Sequence, residues 1–305
     1  MDKKVVAVTI GDINSISAEI ILRGHDTIKE FCLPLYFTNY KMLSKAAKAL
    51  NLPIPKDIEI EYISGDFKIK PGKISKKSGL YSFRSFKKAV QFTKAGITDA
   101  IVTLPINKLA WQKAGIPYKG HTDALRDFFK KEAIMMLGSD GLYVALYTEH
   151  IPLKDVPTKI KKGKLEKFLL NLSKSLKTQK IGVLGLNPHA GDGGVLGDEE
   201  RVIEKAIKSA NKKVGKELFF GPIVPDIAFT PYMLKNFDTF VAMYHDQGLA
   251  PLKALKFDEA INVSLNLPII RTSVDHGTAF DIAYKPVPKS LKSYINAVKY
   301  AIDAS

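Results

Sequence analysis

The sequence predicts an α/β fold with a mostly parallel sheet, and three observations support this prediction. Short apolar runs rich in β-branched residues, beginning with VVAVTI at 5–10, alternate along the chain with amphipathic stretches of helical length. Several of these runs end abruptly in polar residues and glycine, as parallel strands do at the edge where α/β proteins bind ligands. The 305 residues, 46% of them hydrophobic, can form a large core, and this length suggests two domains.

Most elements can be placed in order along the chain. The predicted strands are 4–10, 34–38, 100–104, 133–138, 142–148, 180–186, 238–244, 260–265 and 269–272. The predicted helices are 17–23, 40–50, 82–94, 124–129, 164–176, 199–212 and 291–304. Ser15 or Ser17 can cap the first helix. The prolines and glycines within residues 51–78 favour short strands and turns there.

Composition excludes several classes of protein. The only cysteine, Cys32, excludes an intramolecular disulfide and a cysteine-ligated zinc site. No apolar run approaches the roughly 20 residues of a membrane-spanning helix. The N-terminus enters a strand at once and lacks the pattern of a signal peptide. We therefore expect a cytoplasmic protein without a membrane partner.

The formal net charge of +15 is compatible with nucleic acid, an anionic membrane surface or anionic small molecules as partners. The lysines are scattered, and the sequence has no basic block, zinc-finger spacing or aromatic RNA-binding signature. We interpret most of the charge as solvated helix faces and expect no nucleic-acid partner. Attraction of a phosphorylated ligand is a secondary effect.

Histidines follow several of the predicted strands, at His150, His189, His245 and His276. Each can be a hydrogen-bonded residue beside a turn. Alternatively, His150, His189 and His245 can bind one divalent cation and leave a position open for substrate oxygens. No serine nucleophile motif is present and Cys32 has apolar neighbours, so covalent catalysis is not supported.

Three further groups have two interpretations each. Lys253, Asn262 and Arg271 suit a carboxylate or phosphate, but they can equally be unrelated surface residues. The segment 120–123 begins a predicted helix, whose N-terminus favours an anion. The glycine-rich segment 191–197 lacks the order of a dinucleotide or Walker loop, so we interpret it as a tight turn beside His189.

Five motifs together resemble the 4-hydroxythreonine-4-phosphate dehydrogenase (PdxA) family of vitamin B6 biosynthesis. They are TLPINK (103–108), GHTDAL (120–125), LNPHAGDGGVLGDEE (186–200), MYHDQGLAPLK (243–253) and LPIIRTSVDHGTAFDIA (267–283). The resemblance extends from about residue 5 to 300. It implies a fold like that of isocitrate and isopropylmalate dehydrogenases, with two α/β domains flanking a central cleft. It also implies a homodimer with active sites at the interface, and domains at 1–118 with 266–305 and at 119–265.

The resemblance also implies roles for individual residues. It places a divalent metal, either zinc, magnesium, manganese or cobalt, on His150, His189 and His245. It places the substrate on His121, Thr122, Lys253, Asn262 and Arg271. The NAD or NADP cofactor would contact the loop His276, Gly277, Thr278 and Ala279. The catalytic residues would be His245 and Asp246, with Asp246 or a metal-bound water as the general base.

The implied reaction is oxidation of 4-phosphooxy-L-threonine to a 3-keto acid, which decarboxylates to 3-amino-2-oxopropyl phosphate. Alternatives are a sister dehydrogenase acting on phosphorylated threonate, a three-histidine metallohydrolase, and a basic nucleic-acid-binding protein. The chain has Asp123 where the family more often has glutamate, and it departs more strongly from the family pattern at two places. Segment 13–18 lacks the proline and several glycines that usually follow Gly11-Asp12, and Tyr284 stands where the family has glycine.

Overall fold

The computed structural model describes residues 3–305 and divides into two compact units. Unit 1 contains the described residues as far as Lys131 together with Ile261–Ser305, and unit 2 contains Glu132–Ala260. The chain therefore leaves unit 1, forms unit 2 and returns to unit 1.

The first segment of unit 1 alternates strands and helices. These are β1 (Val5–Thr9), α1 (Ser17–Ile28), β2 (Leu33–Thr38), α2 (Tyr40–Leu50), β3 (Glu59–Tyr62), α3 (Lys76–Lys94), β4 (Ala100–Thr103), α4 (Lys108–Lys113) and α5 (His121–Phe129). The side chain of Asn39 caps α2 by accepting from the N–H of Met42 at 2.8 Å. The predicted serine cap of α1 is only partly correct. The N-cap is Ile16, and the hydroxyl of Ser15 accepts from the N–H of Ser17 at 3.1 Å.

Unit 2 contains the middle of the chain. Its elements are β5 (Ile134–Ser139), β6 (Leu142–Leu146), α6 (Val156–Lys159), α7 (Lys162–Ser175), β7 (Ile181–Leu184), α8 (Glu199–Val214), β8 (Phe219–Ile223), α9 (Pro231–Asn236), β9 (Thr239–Ala242) and α10 (His245–Lys256). The strand order is β5-β6-β9-β7-β8. All neighbours pair in parallel except β5, which is antiparallel to β6. Helix α10 packs on β5, β6 and β9, where the core includes Val144, Phe240 and Leu249.

The chain returns to unit 1 through β10 (Ile261–Leu265), β11 (Arg271–Val274) and α11 (Lys292–Ala304). The strand order of this unit is β3-β2-β1-β4-β11-β10. All of these neighbours are parallel except β10, which is antiparallel to β11. Helix α3 packs on β1, β2 and β4, and α11 packs on β4, β10 and β11. The prediction of a mostly parallel α/β fold is confirmed.

The short helices α4, α6 and α9 were not predicted, and two longer helices also differ from the prediction. Helix α3 begins at Lys76 rather than residue 82, and its side-chain cap is Ser75, which accepts from the N–H of Ser78 at 3.4 Å. Helix α10 was not predicted, since Gly248 and Pro251 disfavour a helix when the sequence is considered alone. No helix in the described part of the chain has the length and apolar composition needed to span a membrane.

Candidate active site

The three predicted metal ligands lie in unit 2, each after a different parallel strand. His150 follows β6, His189 follows β7, and His245 follows β9 as the first residue of α10. Strand β9 lies between β6 and β7 and is parallel to both. The carboxyl ends of these strands therefore share one edge of the sheet, which is where α/β folds bind ligands.

His245 has the hydrogen bond that is typical of a metal-binding histidine. Its Nδ1 lies 2.7 Å from Oδ1 of Asp246, so Nε2 is the ring nitrogen that can bind a metal. The ring centroids of His150 and His245 lie 5.3 Å apart. His150 and His245 are therefore neighbours, and an imidazole donor set of this kind fits a divalent ion such as zinc.

His189 lies on an exposed turn, Pro188–Gly194, whose backbone is left-handed at five consecutive residues. The φ angles are 52° at His189, 50° at Ala190 and 43° at Asp192, a conformation that costs about 1 kcal/mol or more at each non-glycine residue. Within residues 3–305, the ligand atoms of all three histidines do not come within 4.8 Å of one another. The structure therefore brings His150 and His245 together and places His189 on a strained loop at the same sheet edge.

A second group with metal-ligand geometry lies in unit 1. Ligand atoms of His25, Asp26 and Asp57 lie within 4.8 Å of one another. However, Nζ of Lys29 lies 3.1 Å from Asp26 and 2.9 Å from Asp57. The hydrogen bond from Lys29 is the largest of the interactions that lower the pKa of Asp57 to about 2. Lys29 thus pairs with both carboxylates and offsets part of their charge, and we assign the cluster to the stability of unit 1.

Arg271 is the centre of a buried polar cluster in unit 1. It begins β11 and is 3% exposed. Its Nε and Nη2 donate to Oγ1 of Thr103 at 3.1 and 2.7 Å, and its Nη1 donates to Oγ of Ser264 at 3.0 Å. No carboxylate in residues 3–305 pairs with it, and burial lowers the pKa of its guanidinium to about 9. A buried charge with only neutral partners fits an anionic ligand.

His121 and Asn262 each have a buried polar atom without a partner among the described residues. Nδ1 of His121 lies 3.2 Å from Nη2 of Arg271 and accepts from it, which assigns the proton to Nε2. Burial, with a smaller contribution from the charge of Arg271, holds the pKa of His121 well below its ordinary value. Nε2 of His121 is then a buried donor, and Oδ1 of Asn262 is a buried acceptor. Both atoms suit contacts to a polar ligand.

The remaining predicted substrate residues lie on two helices. Thr122 is the second residue of α5 and is half-buried. Lys253 lies on α10, with Nζ 5.9 Å from the ring centroid of Phe257. Asp246, the candidate base, has a side chain that is 83% exposed.

The predicted cofactor loop follows β11. Nδ1 of His276 contacts the carbonyl oxygen of Gly277 at 3.1 Å, and burial lowers the pKa of this histidine. The carbonyl of Thr278 accepts from the N–H of Ile16 at 3.4 Å, and Ala279 has a left-handed φ of 45°. The loop is thus anchored to the segment in which the sequence departs from the family pattern.

Comparison with known proteins decides the family. Residues 30–301 match the family model described as "Pyridoxal phosphate biosynthetic protein PdxA". The chain belongs to the PdxA family. It is 57% identical over 302 residues to 4-hydroxythreonine-4-phosphate dehydrogenase of Sulfurimonas denitrificans, covering 99% of this chain and 98% of the relative. It is 47% identical over 306 residues to the enzyme of that name from Helicobacter pylori, covering 98% and 99%.

A solved PdxA-family structure agrees with this result. The crystal structure of 4-hydroxythreonine-4-phosphate dehydrogenase from Klebsiella pneumoniae matches with a TM-score of 0.84 and 32% identity, covering 99% of this chain and 98% of that one. A terephthalate dihydrodiol dehydrogenase from Burkholderia xenovorans matches with a TM-score of 0.70 at 23% identity, which shows a shared fold alone.

The two departures from the PdxA pattern contact each other. Tyr284 has a left-handed φ of 59°, which explains why glycine suits this position in the family. Its hydroxyl donates to the carbonyl of Ile13 at 2.7 Å. This hydrogen bond therefore stabilises the altered N-terminal segment, and it partly offsets the backbone strain at Tyr284.

The sequence did not identify the side chains that support the site. Thr103 and Ser264 bind Arg271, while Asn187, Glu200 and Gln247 bind the segments that carry His189 and His245. Four of the five lie within the motifs quoted for the resemblance, and that is the signal that could have marked them. Ser264 lies outside all five motifs.

Proposed function

We propose that this chain is an NAD(P)-dependent and divalent-metal-dependent 4-hydroxythreonine-4-phosphate dehydrogenase. The observation that carries the proposal is the position of three histidines after three adjacent parallel strands in a PdxA-family chain. The substrate is 4-phosphooxy-L-threonine. Its C3 hydroxyl is oxidised with transfer of hydride to the nicotinamide, and the 3-keto acid loses carbon dioxide to give 3-amino-2-oxopropyl phosphate.

His150, His189 and His245 hold the metal in this proposal. Three imidazoles suit zinc, and magnesium, manganese or cobalt also serve where substrate oxygens complete the coordination. When bound, the divalent ion supplies Lewis acidity that lowers the hydroxyl pKa, and the nicotinamide takes up the hydride.

Asp246 has two proposed roles. It orients His245 through the 2.7 Å contact to Nδ1, and its carboxylate accepts the hydroxyl proton. Asp246→Asn separates the roles, because a carboxamide oxygen can still accept from His245. We expect kcat to fall by about 100-fold or more while metal affinity stays near wild type. Wild-type kcat in this variant would remove Asp246 as the base.

Unit 1 provides groups for the charged parts of the substrate. Arg271 and the Nε2–H of His121 suit phosphate or carboxylate oxygens, and Thr122 and Lys253 are further proposed donors. Oδ1 of Asn262 is a buried acceptor and suits an ammonium group. Since phosphorylated threonate lacks that group, Asn262→Ala should reduce the preference for phosphooxy-threonine over phospho-threonate.

The direct test is formation of NADH from 4-phosphooxy-L-threonine, measured before chelation, after chelation, and after return of a divalent ion. Activity should disappear with the chelator and return with the metal. His245→Ala should abolish turnover with the fold intact, and Arg271→Ala should chiefly raise KM. Arg23→Ala is the matched control, because this α1 arginine is 50% exposed and pairs with Glu19.

The alternatives predict other results. Turnover of phospho-threonate in place of phosphooxy-threonine would move the function to the sister dehydrogenase. Release of phosphate without nicotinamide would indicate a metallohydrolase. Salt-dependent binding of DNA or RNA that does not need the histidines would indicate a nucleic-acid-binding protein.

Several expectations stay predictions. They are the homodimer with its active site at the interface, which sedimentation tests, the domain limits near 118 and 265, and the cytoplasmic location. The loop His276, Gly277, Thr278 and Ala279 is proposed to bind the cofactor. His276→Ala should then raise the KM for NAD or NADP without changing metal affinity.

A further inference from the structure

The backbone between β7 and His189 is held by side chains from two other segments. The carbonyl of Gly185 accepts from Nε2 of Gln247 at 2.7 Å. The next two N–H groups, of Leu186 and Asn187, both donate to Oε1 of Glu200, at 2.9 and 2.7 Å. Three consecutive residues after the strand are thus fixed by two side chains.

Gln247 links the segment of His189 to the segment of His245. While its Nε2 donates to Gly185 after β7, its Oε1 accepts from the N–H of Met243 after β9 at 2.7 Å. The oxygen and the nitrogen of one side-chain amide are therefore both hydrogen-bonded, each to the segment that follows a different strand. Gln247 therefore links the segments that follow β7 and β9, beyond the end of the ladder that pairs the two strands.

Glu200 anchors the loop through a buried charge. It is 7% exposed and is the second residue of α8, where the helix dipole favours a carboxylate. Its Oε2 accepts from Nδ2 of Asn187 at 2.9 Å. No lysine or arginine in the described part of the chain pairs with it, so hydrogen bonds from the loop are what satisfy this charge.

The glycines of the loop allow it to pack on this carboxylate. A Cβ at Gly191 would lie 2.6 Å from Oε2 of Glu200, and a Cβ at Gly185 would lie 3.3 Å from Oε1. A Cβ at Gly197 would collide with Nδ2 of Asn187. Glycine is therefore required at these positions because the backbone packs closely against Glu200 and Asn187. The strained backbone at His189 persists only where its surroundings hold it in this way.

We propose that Glu200 and Gln247 are positioning residues that hold the segments carrying His189 and His245, so that both histidines can bind one divalent cation. The inference rests on the metal site of the proposed function and adds to it the residues that make that site rigid. Partners that orient metal ligands are typically worth 10–100-fold in metal affinity.

The test measures affinity of the chelated, metal-free protein for zinc ion alone, by competition with a chromophoric chelator. Glu200→Ala and Gln247→Ala should each weaken binding by about 10–100-fold. Glu200→Gln keeps an oxygen for the N–H groups of Leu186 and Asn187, so it should recover part of the loss. In the metal-free protein, amide hydrogen exchange at 186 and 187 should accelerate in Glu200→Ala and stay slow in Glu200→Gln.

Glu166→Ala is the matched control. Glu166 is also 7% exposed, but it pairs with Lys213. Lys213 lies in the last turn of α8, about 20 Å along that helix from Glu200. It should leave zinc affinity unchanged. An equal loss in Glu166→Ala would mean that any buried carboxylate matters, and would overturn the inference.

His189→Ala separates this inference from the proposed function. If His189→Ala keeps wild-type zinc affinity, the metal assignment itself is wrong. If His189→Ala weakens binding while Glu200→Ala and Gln247→Ala do not, only the positioning inference is overturned. Should Glu200→Ala fail to fold, zinc affinity is compared in Glu200→Gln and Gln247→Ala. Wild-type zinc affinity in Gln247→Ala, alone or together with wild-type affinity in Glu200→Gln, overturns the inference.

Discussion

Buried charges in unit 1 are held in two contrasting ways. Glu19 and Lys289 form an ion pair at 2.9 Å, with side chains that are 5% and 2% exposed. Arg271, in contrast, has only hydroxyl and imidazole partners. Removing a charge from water without a counter-charge costs free energy, and proteins keep such groups where function requires them. The difference supports the proposal that Arg271 binds a ligand, whereas the Glu19–Lys289 pair is structural.

Asp12 gives a pH-dependent stability that can be measured. It follows β1, is fully buried, and its carboxylate accepts from the N–H of Asn14 at 3.0 Å and the hydroxyl of Ser78 at 3.2 Å. Burial raises its pKa from 3.8 to about 6. The folded state therefore favours the protonated acid, and this contribution is fully present below about pH 4 and is lost as pH rises through 6.

We expect Asp12→Asn to remove that loss. The carboxamide can accept from Asn14 and donate to Ser78, so the variant should match wild type near pH 4. It should exceed wild type in free energy of unfolding by up to about 3 kcal/mol at pH 8, as urea denaturation would measure. Asp66→Asn is a control of opposite sign, since hydrogen bonds from Lys41 and Lys45 lower the pKa of this exposed acid to about 2. If the free energy of unfolding of Asp12→Asn differed from that of wild type by the same amount at every pH, the prediction would be contradicted.

At the scale of elements, α10 depends on its close approach to the sheet of unit 2. A Cβ at Gly248 would collide with Cγ1 of Val144 on β6 and lie 2.8 Å from Cβ of Ala242 on β9. The glycine weakens helix propensity by about 1 kcal/mol but allows the helix to lie directly on these strands. His245 begins this helix, so the packing also fixes the position of a candidate metal ligand.

Gly248→Ala should therefore destabilise the protein by about 1–3 kcal/mol and displace His245. Gly163 is the matched control, because it also lies in a helix of unit 2 but a Cβ there would meet nothing within 4 Å. Gly163→Ala should stabilise by about 0.5–1 kcal/mol. The melting temperature should thus fall in Gly248→Ala and rise in Gly163→Ala. A Gly248→Ala protein as stable as wild type would refute the packing argument.

The sequence was sufficient for most of the strands, for a physical reason. Buried parallel strands are apolar on both faces, so they appear as continuous runs, and the polar residues that end them mark the ligand-binding edge. The helices α3 and α10 were harder because Gly79 and Gly248 serve packing: a Cβ at Gly79 would collide with the backbone of Ala110. Local propensity cannot detect such contacts.

The partners of site residues could not be predicted from spacing. Thr103 binds Arg271 across 168 residues of sequence, through the pairing of β4 with β11. Nothing in the sequence near Arg271 indicates that its hydrogen-bond acceptor is a threonine rather than a carboxylate. A tight turn beside His189 was predicted from the glycines, but its left-handed backbone was not, since the left-handed residues include an alanine and an aspartate.

For the molecule as a whole, the net charge of +15 predicts a salt-dependent rate. Both the phosphorylated substrate and the dinucleotide are anions, and a strongly positive protein attracts them over about a Debye length, roughly 10 Å at 0.1 M salt. We expect kcat/KM to fall by about threefold or more between low and physiological salt, with kcat at saturation nearly constant.

The matched variant separates this general field from the contacts of individual residues. Lys76 and Lys77 are exposed at the start of α3 and are not among the residues assigned to binding, and Lys76→Gln with Lys77→Gln removes two positive charges. It should make the salt dependence of kcat/KM less steep without changing kcat or zinc affinity. Arg271→Ala, in contrast, should raise KM at every salt concentration, because it removes a buried contact that salt screens little. A kcat/KM that is independent of salt in wild type would mean that the excess of lysine serves only solvation.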